Sequence, residues 1–114
     1  MDTKYRFGGR NPDAGFDCSG MVSYVFNRAA GVRLTGSAAS IAKKGRAVSS
    51  LNMKPGDLVF FNTLHRPHSH VGIYLGDGRF IHAPSSRGEA RVRTDSLREG
   101  YFAHRFEGAR RYLD

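Results

Sequence analysis

HVGIYLGDGRFIHA, residues 70–83, decides the fold. From His70 the side chains alternate, with Val71, Ile73 and Leu75 on one side and His70, Gly72 and Tyr74 on the other, which is the two-residue period of a strand. Gly76-Asp77-Gly78 reverses the chain into a second strand, Phe80–Ala83, so the segment predicts an antiparallel hairpin. If Asp77-Gly78 were a two-residue turn, Gly76 would oppose Arg79 and the two histidines would face opposite sides. A three-residue loop, Gly76–Gly78, with Gly78 left-handed in a bulge, instead sets Leu75 opposite Arg79 and His82 opposite Gly72. His82 then shares a face with His70 at the diagonal distance of about 7 to 8 Å, and Gly72 leaves room above the backbone. The bulged hairpin is the expected form.

Upstream, Lys54-Pro55-Gly56-Asp57 reads as a turn and Leu58-Val59-Phe60-Phe61 as a central strand. Cys18, Met21, Val22, Val25, Phe26 and Ala29 form the apolar stripe of an amphipathic helix, with Asp17 as its cap and Gly31 as its stop. A shorter helix is expected from Ser37 to Lys44, with Ala38, Ile41 and Ala42 inward and Gly45 after it. The turn formers of Tyr5–Gly15 and the polar stretch Leu64–Ser69 read as loops. Arg91-Val92-Arg93 and Ala109–Leu113 are further candidate strands. Helices first and strands afterwards predict an α+β domain, its helices packed on one face of an antiparallel sheet.

The chain has 114 residues, 39% hydrophobic and 25% charged, which suits one globular domain spanning 1–114. Its longest apolar run, Leu58–Phe61, is far too short for a transmembrane segment, and residues 1–20 lack the pattern of a secretion signal. The net charge of +8 favours an acidic partner, and nucleic acid, anionic lipid and cell-wall polymer all qualify by sign. The cations are interspersed with Glu89, Asp95, Glu99 and Glu107 and form no aromatic-basic stripe, so a solvated surface fits better than a nucleic-acid partner.

The single cysteine, Cys18, excludes an internal disulfide and any Cys-pair zinc site. It starts a helix, where free amides and the dipole favour a thiolate, and Asp17, Ser19 and Gly20 give it polar, open surroundings. A nucleophile needs a base, and a base needs a group that fixes its ring; His70 and His82 are the candidates. His65 and His68 lie near His70, but the tract has no acidic or cysteine ligand beside it and no helical spacing. Neither a metal nor any other cofactor is expected, and His65, His68 and His104 read as ordinary solvated or packed rings.

The strings YRFGG (5–9), FDCSG (16–20), PGDLVFF (55–61) and HVGIYLGDGRFIHAP (70–84) resemble, in this order, the blocks of NlpC-type cell-wall cysteine peptidases. The resemblance covers about the whole chain, with the three key residues 52 and 12 positions apart. It implies a papain-like fold and hydrolysis of peptidoglycan stem peptides, between γ-D-glutamate and a diamino acid such as meso-diaminopimelate. By the same resemblance Cys18 is the nucleophile, His70 the general base and His82 the third member that orients it. Tyr5 and the Cys18 amide hold the oxyanion, and Asp17 and Ser19 line the substrate subsite. The chain differs from the family pattern in having Phe7 where Trp or a similar aromatic is usual, and only Met1–Lys4 ahead of Tyr5 where the family commonly carries an amphipathic helix. A monomer in the bacterial envelope, periplasmic or secreted, is the corresponding expectation. The competing reading is a non-catalytic module that kept the fold and holds anionic wall polymer through its arginines.

Overall fold

The computed structural model describes residues 10–11, 15–16, 18–63, 67–83 and 92–113. Tyr5 and Asp17 lie outside the described residues. Two short strands, β1 (Arg10–Asn11) and β2 (Gly15–Phe16), pair within the stretch expected to be loop. They lead into α1 (Cys18–Ala30), followed by α2 (Ala38–Ala42) and β3 (Arg46–Val48). Next come β4 (Leu58–Phe61), β5 (His70–Gly76), β6 (Arg79–His82), β7 (Arg93–Ser96) and β8 (Phe106–Arg111). The last six strands form one antiparallel sheet in the order β3-β8-β4-β5-β6-β7. This is the expected α+β arrangement.

The helices cover one face of the sheet. Met21, Val22 and Phe26 of α1 and Ala38, Ile41 and Ala42 of α2 are buried with Leu58, Phe60, Val71 and Ile73. The α1 stripe is only half-buried at Val25 and ends at Phe26: Ala29 is exposed, because the last turn, Asn27–Ala30, lies in solvent. Gly31, at φ +67°, closes the helix as expected. α2 stops two residues before the expected Lys44, and the Ser37 hydroxyl accepts the Ser40 amide at its start. On the opposite face Val59, Phe61, Tyr74, Phe80 and Ala109 pack beneath Phe102, which the link between β7 and β8 folds over them. No helix among the described residues is long and apolar enough to cross a membrane.

The hairpin differs from expectation in one respect. Ile73 pairs Ile81 and Tyr74 pairs Phe80, the register that sets both histidines on one face, but Gly76 rather than Leu75 opposes Arg79. The turn is therefore the tight two-residue Asp77-Gly78, both at positive φ, and the extra residue is Leu75. The strand needs a one-residue slip to bring its outer end into the tight turn while keeping the histidine register, and Leu75 absorbs it. It is 46% exposed, having lost its place in the inward alternation. β7 begins at Arg93, two residues after the expected start, and β8 begins three residues before the expected Ala109. The polar β3 strand carries too little apolar alternation to be read from sequence; it forms by pairing with β8.

Asp57 ties the start of β4 to the end of β8. Its carboxylate accepts Arg111 Nε at 2.8 Å on one oxygen, and Arg111 Nη2 and the Lys54 amide, each at 2.9 Å, on the other. Burial pushes the Asp57 carboxyl up, but the Arg111 and Lys54 hydrogen bonds and charges prevail and hold it below its ordinary 3.8. Asp57 is only 3% exposed, so removing it strands a guanidinium against a polar gap. Asp57→Ala is predicted to lower the melting temperature by about 5 °C or more in a calorimetric scan; an unchanged midpoint would contradict this role.

Candidate active site

Cys18 is the first residue of α1, and its side chain is partly exposed. It packs against the core cluster containing Val71 and Ala83, which directly follow His70 and His82 in the chain. The helix that Cys18 begins packs against both strands that carry the imidazoles, β5 and β6. Ser19, the next residue, is buried.

His70 opens β5 opposite Phe61, and His82 closes β6 opposite Arg93. The shared register brings the two rings together: His70 Nε2 lies 2.7 Å from His82 Nδ1, with the rings nearly perpendicular at 80°. Gly72 makes this approach possible. A Cβ there would lie 2.8 Å from the Phe80 ring, 2.9 Å from the Ile81 carbonyl oxygen and 3.1 Å from the Cβ of His82.

Aromatic rings wall the pair in. Phe102 stacks on His70 at 5.5 Å and stands edge-on to His82 at 4.6 Å, while Phe61 and Phe80 flank the two imidazoles. This burial disfavours the imidazolium, pushing His70 down to about 3, with the charge of His82 adding to the effect. Burial likewise pushes His82 down to about 4; the Asp95 hydrogen bond and charge oppose it, and the Arg93 charge reinforces it. Both rings are therefore neutral near pH 7, the form in which a histidine can accept a proton.

The chain of contacts continues outward. His82 Nε2 lies 2.7 Å from Asp95 Oδ2, and Arg93 Nε donates to the same oxygen at 2.8 Å. Sequence reasoning missed Asp95 because β7 was expected to end at Arg93. Extending that alternation by two residues puts Asp95 on the face of Phe80 and His82. Phe102, in an irregular link, carried no periodic signal. The other histidines stand apart. His68 lies edge-on to Phe60, on the helix-covered face, whereas His70 lies against Phe61 on the other. His104 is exposed, and His65 lies outside the described residues.

A cysteine at the start of a helix, packed on an antiparallel sheet that carries a buried histidine pair, defines a papain-like α+β domain. The NlpC/P60 family model matches residues 2–111. The chain is 48% identical over 109 residues to gamma-DL-glutamyl hydrolase of Bacillus subtilis, covering 95% of this chain and 26% of that protein. It is 38% identical over 112 residues to murein DD-endopeptidase MepH of Escherichia coli, covering 96% and 41%. Among solved structures, an NlpC/P60 family protein from Bacillus cereus superposes with a TM-score of 0.88 at 29% identity, over 100% of this chain and 37% of that one. The NlpC/p60 domain of the peptidoglycan hydrolase SagA superposes at 0.79 with 35% identity, over 96% and 87%. The chain belongs to the NlpC/P60 family. It spans about a quarter to two fifths of the length of these two curated relatives.

The lowered values of His70 and His82 carry a stability consequence. Between the ordinary 6.5 and the folded values the unfolded chain binds more protons, so stability is complete above about pH 6.5 and is lost as pH falls toward 4. The melting temperature is predicted to fall steadily across that window, and a flat profile would contradict the buried neutral pair.

Proposed function

We propose that residues 1–114 form one cysteine peptidase domain that hydrolyses amide bonds in the stem peptides of bacterial peptidoglycan through Cys18, His70 and His82. The observation that carries this reading is the 2.7 Å contact between two buried, neutral imidazoles on β5 and β6, the strands against which the helix that begins with the only cysteine packs. An inert wall-binding module has no need of such a pair, whose burial is costly without a task.

In the proposed cycle His70 takes the Cys18 proton and the thiolate attacks the amide carbonyl. His70 then protonates the leaving amine, and water attacks the thioester with His70 again as base. The Cys18 amide and the Tyr5 hydroxyl hold the tetrahedral oxyanion, where one donor contributes about 2.7 to 4 kcal/mol. Asp17 and Ser19 line the subsite around the thiol. The bond assigned is γ-D-glutamyl to diamino acid. Support comes from the names of two relatives, gamma-DL-glutamyl hydrolase at 48% identity and the peptidoglycan DL-endopeptidase CwlO of Bacillus licheniformis at 43%. A DD-endopeptidase of E. coli stands further off at 38%. A peptidoglycan substrate puts the site of action in the cell envelope.

Purified peptidoglycan provides the test. Cys18→Ala and His70→Ala are predicted to abolish release of new amino groups, while His82→Gln, which keeps a polar partner for His70, retains a fraction of it. Undiminished release by Cys18→Ala would overturn the mechanism, and muropeptide mass spectrometry identifies the bond cut.

A further inference from the structure

Asp95 and Arg93 take no part in the cycle above, yet they complete a line of contacts across three neighbouring strands: His70 on β5, His82 on β6 and Asp95 on β7. Resting on the peptidase reading, we propose that Asp95 is a positioning residue that selects the tautomer of both imidazoles and so leaves His70 Nδ1 as the nitrogen free to take the Cys18 proton.

The argument is a count of protons. Two neutral imidazoles carry one N–H each, and the 2.7 Å contact between His70 Nε2 and His82 Nδ1 uses one of them. If His82 were the donor, its Nε2 would be a bare lone pair and the proton of His70 would sit on Nδ1. That form sets a lone pair against Asp95 Oδ2 at 2.7 Å, two acceptors in contact, and leaves His70 with no basic nitrogen toward a thiol. If His70 is the donor, His82 Nδ1 accepts, His82 Nε2–H donates to Asp95, and His70 Nδ1 is free. Only this arrangement satisfies both short contacts.

Arg93 fixes the carboxylate for the task. Its Nε donates to the oxygen that faces His82, while the guanidinium itself stays half-exposed at 55%. Asp95 is 30% exposed and His82 fully buried, so the carboxylate joins solvent to the enclosed pair. Positive charge that His70 gains during the reaction is met through His82 by a negative group two strands away, within an otherwise apolar wall.

The wild-type protein, labelled with 15N-histidine, gives the direct reading. A long-range 1H–15N spectrum at pH 7 is expected to show both rings as the Nε2–H form; a proton on Nδ1 of either ring would overturn the proposal. Kinetics on purified peptidoglycan supply the second arm. Where an orienting carboxylate contacts the base itself, its amide replacement costs about 10⁴ in kcat. With one more ring intervening, Asp95→Asn is expected to lower kcat by about 10- to 100-fold, to move KM by less than about twofold, and to let the Nδ1–H form appear at His70. Asp95→Glu, which returns a carboxylate acceptor, is expected to fall between Asn and wild type. An Asp95→Asn enzyme as fast as wild type, with unchanged histidine spectra and an inert Cys18→Ala control, would remove the role of Asp95 alone. A Cys18→Ala variant that still cuts would remove the peptidase reading itself.

Discussion

The contact between His70 Nε2 and His82 Nδ1 is the constraint around which the sheet is arranged. It joins two strand ends that meet only in one register, beneath Phe102 and between Phe61 and Phe80. Polar nitrogens so enclosed are costly unless each N–H finds an acceptor. The neighbouring ring and the Asp95 carboxylate satisfy that requirement. The same enclosure keeps both rings uncharged, which is what a general base requires at rest.

Two local features protect this register. Leu75 takes up the one-residue slip that the tight Asp77-Gly78 turn imposes, so the slip never reaches the histidines. Tyr74 fixes the turn from below, its hydroxyl accepting the Gly78 amide at 2.9 Å. At the other end of the hairpin Gly72 supplies the missing Cβ that His82 needs.

The sequence was most informative where a period was long. The α1 stripe from Cys18 to Phe26 and the alternation of His70–Tyr74 were legible because each repeats the spacing of one element, and β4 because a run of β-forming apolar residues follows the Lys54–Asp57 turn. The shared face of His70 and His82 followed from register alone, although the loop that produces it differs from the expected one: a bulge at Leu75 rather than at Gly78 gives the same pairing farther along. Elements set by partners rather than by their own pattern were not legible. β3 is polar and exists through β8, and Phe102 acts from an irregular link. Asp95 looked like one acid among several interspersed charges, because only its pairing with Phe80 reveals the face it occupies.

The central claim is that this imidazole pair serves the sulfur of Cys18 in acyl transfer. Intact-protein mass spectrometry of samples acid-quenched during turnover of a soluble stem peptide tests it most directly. The account predicts a transient mass increase equal to the acyl half of the substrate, mapped by peptide digestion to Cys18. Product formation with no adduct on Cys18, or with the adduct on another residue, would contradict it.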